Sequence, residues 1–346
     1  MGKATRNGNG RKRATSYDVA KLAGVSQSAV SRVFQQGASA SNKMRDRVMS
    51  AANELGYRPN AIARGLITQR SNMVGVIILR LTNLYYPEVM VQLTQYFSEY
   101  GIRVLLFAID NESEVETTLE QLLQYRVDGV ITAALLSPEQ LENIGAEGIP
   151  VVFYNRDLPD VAVSSVRCDQ EEGERWLVDV LVKAGHKTFG IVSGPPDSTI
   201  SVQRTSGALR NLEDHGITNV PIVSGNFGYQ TGRDGFAEIV RQCGGAPDAV
   251  IAANDAMAIG CIDEAREKFG LDVPGDVSIV GFDGVGPASF AAYSLTTVRQ
   301  PVGRMSKAAV SMLIERIENS ELPPEKRVFT GEHIKGKSAR IAPGAD

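Results

Sequence analysis

Apolar positions in the first part of the chain recur at helical spacing. Residues 1–15 are Gly, Asn, Lys and Arg with almost nothing apolar, and are expected to form a disordered basic tail. From Ser16 to about Gly56 the pattern predicts three short helices. The first spans Tyr17–Ala23 with Val19, Leu22 and Ala23 inward, and Gly24 breaks it. Ser26 is a good N-cap for a second helix through Phe34, which Gly37 ends; a third starts at Ser41 or Asn42 and reaches Leu55. From Asn72 the period changes. Apolar, β-branched runs at 73–79, 103–109, 129–132, 149–154, 187–192, 221–224, 247–253 and 276–282 alternate with amphipathic stretches near 87–100, 113–125, 138–147, 170–184, 199–215, 228–242 and 254–269. A last helix at about 301–318 precedes short strands and a Pro/Gly end. This alternation predicts an α/β class with parallel sheets covered by helices on both faces. About ten strands exceed a comfortable open sheet, so two side-by-side lobes are expected.

The stretch YDVAKLAGVSQSAVSRVF has the form of a helix-turn-helix. In its second helix Ala29, Val30, Val33 and Phe34 make the packed stripe, so Gln27, Ser28, Ser31 and Arg32 project from the other side. Such a face suits base edges in the major groove, Gln for adenine and Arg for guanine. A helical bundle with a merely polar surface is the competing explanation. After Pro59, residues 60–68 offer one or two helical turns, marginal in water with Gly65 inside and therefore dependent on a partner. Leu66 on this basic hinge is a candidate minor-groove wedge, although a lone linker leucine more often just packs.

Charge favours the nucleic-acid reading. The net charge of the 346 residues is only −4, but residues 1–70 hold 13 basic and 3 acidic residues, a net of +10. The remainder holds 23 basic and 37 acidic residues, a net of −14. Two parts with different partners follow, the basic one small enough to be a nucleic-acid module. The longest uncharged stretch, His215 to Gly232, contains four glycines and Pro221, so no membrane helix is expected. The opening residues are basic without an apolar run, so no signal peptide is expected either. Cys168, Cys243 and Cys261 are odd in number and form no CxxC, which argues against a disulfide framework or zinc site and fits a cytoplasmic setting.

YDVAKLAGVSQSAVSRV, ELGYRPNAIARGL, ANDAMAIG, VSIVGFD and LTTVRQP together resemble the lactose-repressor (LacI/GalR) family of bacterial regulators, in the family's order from residue 16 to about 340. The resemblance implies a homodimer on a pseudo-palindromic operator, nucleoid-associated when bound, and a two-lobed core like periplasmic sugar-binding proteins that closes on a small effector. It implies base contacts by Gln27, Ser28 and Arg32 and an intercalating Leu66, with Gly65 standing where Ser or Gln is commoner. The full DNA-contacting set is then Tyr17, Ser26, Gln27, Ser28, Ser31, Arg32, Asn60, Arg64 and Leu66. Expected domains are a helix-turn-helix at 16–59, a hinge at 60–71 and a core at 72–341. Lobe 1 takes about 72–168 and 301–328, and lobe 2 about 169–298 and 329–341.

Ligands of open α/β sheets sit beyond the carboxyl ends of the strands. Those ends collect Arg80, Asn83, Tyr85, Tyr86, Asn155, Arg156, Phe227, Asn254, Asp255 and Asp283. Carboxylates, amides, arginines and aromatic faces suit a sugar or a related polar ring compound. Asp255 competes as a helix N-cap. The resemblance adds weight to Tyr85, Tyr86, Arg156, Arg204, Phe227 and Asp283, and Gln300 of LTTVRQP completes the set. Arg80 stands where many relatives have Asp. Three candidate arginines, Arg80, Arg156 and Arg204, leave room for an anionic effector such as a sugar acid.

GEHIKGKS at 331–338 matches the Walker A pattern, but Pro343 and the few residues after Ser338 forbid the required helix, so the match is accidental. His186, His215 and His333 lie far apart and indicate no metal cluster; no cofactor is expected. An enzyme would need a paired acid and base, and none is evident. A solute-binding protein for a transporter explains the core but not residues 16–70. The C-terminal SARIAPGAD lacks apolar heptads, so a dimer rather than a tetramer is expected.

Overall fold

The computed structural model describes residues 14–34, 39–58, 70–81, 83–156, 158 and 161–342. The chain divides into two units, Met1–Ser71 and Asn72–Asp346. In the first unit Thr15 and Asp18 exchange side-chain and backbone hydrogen bonds, a capping box that starts α1 (Ser16–Ala23). Thr15 thus belongs to the helix start and not to the tail. Ser26 caps α2 (Gln27–Val33), and Ser41 caps α3 (Asn42–Glu54). Val19, Ala20, Ala23, Val30, Val33, Val48, Ala51 and Ala52 form the small core, flanked by an edge-to-face Phe34–Tyr57 pair. Leu22, expected inside, is 47% exposed. At about 100° per residue the buried arc of α1 centres between Val19 and Ala20, which leaves Leu22 outside it. Gly37 and the hinge positions 59–69 lie outside the described residues.

The turn between α1 and α2 rests on Gly24, whose φ of +63° suits glycine. Arg47 of α3 reaches across to it. Its Nε donates to the Ala23 carbonyl at 3.0 Å and its Nη2 to the Gly24 carbonyl at 2.9 Å. A Cβ on Gly24 would meet that guanidinium at 2.9 Å.

In the second unit β1 (Met73–Leu79), β2 (Arg103–Ile109), β3 (Gly129–Thr132), β4 (Val151–Tyr154), β5 (Ser164–Cys168) and β11 (Lys326–Phe329) form one sheet. Its order is β11-β5-β4-β3-β1-β2, and every pair is parallel. The second sheet contains β6 (Phe189–Ser193), β7 (Ile222–Ser224), β8 (Ala249–Ala252), β9 (Ser278–Asp283), β10 (Thr296–Arg299) and β12 (Glu332–Ile334). Its order is β12-β10-β9-β8-β6-β7, parallel except for the antiparallel edge strand β12. These are the two parallel α/β lobes that the alternation predicts.

Strand β1 shows how a lobe is built. Val74, Val76 and Ile78 pack toward α4 (Tyr86–Glu99) and α11 (Val302–Glu318), while Ile77 and Leu79 pack toward α5 (Val115–Gln124) and α6 (Pro138–Ala146). Alternate side chains feed opposite faces, and both faces are dry. The second lobe carries α7 (Gln170–Lys183), α8 (Thr199–Asp214), α9 (Tyr229–Cys243) and α10 (Asp255–Glu267). The chain passes between sheets after β5, between β10 and α11, and between β11 and β12.

Hydrophobic runs do not announce β5 and β10. Their buried residues include Ser164, Ser165, Thr296 and Thr297. Thr297 is satisfied only through a distant partner, donating to the Asp255 carboxylate at 2.6 Å. The Walker-like stretch is a structural strap. Ser338 Oγ accepts from the Thr296 amide at 2.9 Å, and a Cβ on Gly336 would collide with the Ser294 carbonyl at 2.0 Å.

Candidate functional site

In the first unit Tyr17, Ser26, Ser28, Ser31 and Arg32 are exposed and Gln27 is half-buried. The hydroxyl of Ser26 accepts from the Ala29 amide and lies 2.9 Å from that of Ser28. Gln27 Nε2 donates to Ser16 Oγ at 3.4 Å, which ties the start of α2 to α1. The hinge candidates Asn60, Arg64 and Leu66 lie outside the described residues.

Most of the strand-end candidates of the second unit converge on a cleft between the lobes. One wall carries Leu79, Arg80, Asn83, Tyr85, Tyr86, Asn155 and Arg156. The facing wall carries Ser198, Ile200, Arg204, Phe227, Asp283 and Gln300. The free volume is about 40 Å³. Pockets that hold small molecules run to roughly 300–1,000 Å³, so the two walls stand close together.

Backbone strain concentrates here. Arg80 (φ 56°), Asn155 (53°), Phe227 (67°) and Asp283 (116°) all lie in the left-handed region and all line the cleft. Such conformations persist where the surroundings over-determine them, which is common at binding sites. Phe227 shows the determinants: Asn254 Nδ2 donates to its carbonyl at 3.0 Å, and its ring fills the space that a Cβ on Gly194 would need.

The charges fall into two groups. Arg204 is only 2% exposed and fully engaged. Its Nε donates to Gln170 Oε1 at 2.7 Å, its Nη1 to the Ala253 carbonyl at 2.6 Å and its Nη2 to Asp283 Oδ1 at 2.8 Å, with the guanidinium stacked 3.9 Å over Phe282. Gln300 Nε2 also donates to Asp283 Oδ1, at 2.8 Å. Burial pushes the Asp283 carboxyl above its ordinary range, against the pull of Arg204 and Gln300. Arg80 and Arg156 reach across the cleft instead, and Arg299 reaches across outside its lining. Arg80 Nη2 meets Asp197 at 3.2 Å, Arg156 Nη1 donates to Thr199 Oγ1 at 2.6 Å, and Arg299 Nη2 meets Glu88 at 2.9 Å. Each joins one lobe to the other.

Two candidates are corrected. Asn254 and Asp255 do not line the cleft. Asn254 is the N-cap of α10, accepting from the Met257 amide at 3.0 Å. Asp255 is fully buried behind it, accepting from Thr297 Oγ1 at 2.6 Å and the Val285 amide at 2.8 Å. Burial, then the neighbouring Asp283, push its carboxyl up to about 8. Tyr85 is 4% exposed and packs mainly into the core, edge-on to Tyr86 at 5.4 Å.

Residues 15–60 match the model of the bacterial regulatory proteins of the lacI family, and residues 178–339 match the periplasmic binding protein-like domain. The HTH-type transcriptional regulator AscG of Escherichia coli (strain K12) is 32% identical over 95% of this chain and 99% of its own length. The chain belongs to the LacI family. A lac repressor dimer bound to operator and the anti-inducer ONPF superposes with a TM-score of 0.86 at 27% identity, covering 96% of this chain and all of that one. The transcriptional regulator CelR in complex with cellobiose superposes with a TM-score of 0.71 at 28% identity, covering 94% of this chain and all of that one. This LacI-family protein is therefore a DNA-binding transcriptional regulator and not an enzyme. The helix-turn-helix separates it from a transporter's solute-binding protein. Among the described residues no helix is long and apolar enough to cross a membrane.

Several residues that hold the cleft's side chains or join its two lobes are not marked by the sequence. Gln170 orients Arg204 and donates to Asn155 Oδ1 at 3.3 Å, but it follows β5, a strand that its polar residues conceal. Asp197 sits in the turn after β6 and Thr199 opens α8, and nothing local marks them as the partners of Arg80 and Arg156. Glu88 and Arg299 are 211 positions apart.

Proposed function

We propose that the protein is a repressor that binds a pseudo-palindromic operator as a homodimer and responds to a small, sugar-like effector in the interlobe cleft. The observation that carries the effector site is the meeting of strained backbone and polar side chains at the strand ends of both sheets. Asp283 and Gln300 would take effector hydroxyls, with Arg204 holding Asp283 in place. Phe227 and Tyr86 would cover ring faces, and Arg80 and Arg156 would close over the ligand. Asn254 and Asp255 serve as supports, Asn254 by fixing the Phe227 backbone. On the DNA side Gln27, Ser28 and Arg32 would read bases, Tyr17, Ser26 and Ser31 would position the unit, and Asn60, Arg64 and Leu66 would engage the minor groove through the hinge.

Control would be a coupling free energy between the two sites. An effector that binds one lobe arrangement better than the other shifts the population toward it and so alters operator affinity. Selection from a random duplex library, followed by gel shifts at graded salt, tests the DNA half. The expected outcome is a pseudo-palindromic site with affinity falling linearly on a log–log salt plot. Arg32→Ala should cost about 1–3 kcal/mol and relax base preference at one position per half-site. Salt-insensitive or undetectable DNA binding would sink the proposal.

A further inference from the structure

We infer that the effector carries an anionic group, a carboxylate or a phosphate, that seats on Arg156. This deepens the effector reading above and rests on it. Arg156 is 5% exposed, and its hydrogen bonds go to neutral acceptors, Nε to the Ala133 carbonyl at 2.8 Å and Nη1 to Thr199 Oγ1 at 2.6 Å. Among the described residues no carboxylate lies within ion-pair distance of it. The other cleft arginines differ, Arg204 being matched by Asp283 and Arg80 by Asp197. A guanidinium cannot shed its proton to escape burial, as an amine does. Buried charges are paired as a rule, so one that faces a ligand cleft calls for an anion from the ligand.

A second feature points the same way. Thr199 and Ile200 open α8, a helix of 16 residues that starts beside Arg156. Their amides find no acceptor among the described residues. The first-turn amides and the helix dipole both favour negative charge there. The far side of the cleft asks for different chemistry: Gln300 Oε1 is a buried acceptor without a donor among the described residues, and Asp283 is a further acceptor. Hydroxyl donors at one end and one acid at the other describe an aldonic or uronic acid, or a sugar phosphate.

The test uses the full chain and calorimetric titration with matched sets: neutral pentoses and hexoses, their aldonates and uronates, and their phosphates. In at least one set an acid should bind tenfold or more tighter than its neutral parent. Carboxylate arms against phosphate arms then identify the group. Arg156→Gln should erase the preference for the acid, and Arg156→Lys should retain part of it. Neutral parents binding as tightly as their acids would overturn the anionic assignment while leaving the effector reading intact. An undiminished acid preference in a folded Arg156→Gln protein would also overturn it. No binding by any member of the sets would overturn both.

Discussion

Glu174 is the residue whose cost is plainest. It lies on α7, 1% exposed, and neither carboxylate oxygen has a hydrogen-bond partner among the described residues. Burial pushes its carboxyl from 4.5 up to about 8, partly relieved by Arg204. Between those values the folded state holds a proton that the unfolded state has released. The folded state then binds more protons, so its stability declines as pH rises through that window. Above pH 8 the folded state bears the full penalty of a buried, unpaired carboxylate. Asp255 shares the direction, but Thr297 and the Val285 amide support its charged form. Glu174→Gln should leave the melting temperature near pH 5 almost unchanged and raise it by several degrees at pH 9. Each kcal/mol moves a domain of about 150–250 residues by about 2–4 °C, and the larger second unit by rather less. Parallel Tm–pH curves for the two proteins would refute that account.

At the scale of elements the turn of the helix-turn-helix is the sensitive point. A core of four valines and four alanines has little stability to spare. The orientation of α2 depends on the left-handed Gly24 and on the Arg47 guanidinium that holds the end of α1. Gly24→Ala should destabilise the first unit by about 1–2 kcal/mol through the left-handed strain alone, with the Arg47 contact adding to it. Gel shifts should then show weakened DNA binding while calorimetric effector binding stays at the wild-type value. Equal loss at both would mean that the defect is not confined to this turn.

On the scale of the whole molecule, polar links such as Arg80–Asp197, Arg156–Thr199 and Arg299–Glu88 span the lobes, and the Val91 face of α4 stands uncovered. Val91, in the middle of the amphipathic α4, is 62% exposed beside Met90, Thr94 and Gln95. A dimer in solution would bury this face. Val91→Asp should shift sedimentation toward monomer and lower operator affinity, because two half-sites are read together. An unchanged dimer would place the interface elsewhere. The Arg299–Glu88 link calls for a different measurement. Glu88→Gln leaves the cleft lining untouched and removes one tie between lobes, so small-angle scattering of the effector-free protein should report a larger radius of gyration. An unchanged radius would mean that the link does not hold the lobes together.

Local chemistry sufficed for much of this molecule. The change from helical to strand-helix periodicity at residue 72, the caps at Ser26 and Ser41, and the charge contrast between the two parts are all consequences of neighbouring residues. They specify the three-helix unit, the parallel α/β lobes and the two kinds of partner. Tertiary structure decided what depends on distant pairs. Thr297 and Ser164 sit in strands because distant groups accept or supply their hydrogen bonds, which hydropathy does not register. Asp255 moved from the cleft to its support because Thr297, 42 positions away, takes its carboxylate. Among the three arginines that look alike in sequence, burial and partners separate them: Arg204 neutralised, Arg80 bridged, Arg156 buried without a counter-charge among the described residues. Charge type is a property of one residue, but charge compensation belongs to the fold.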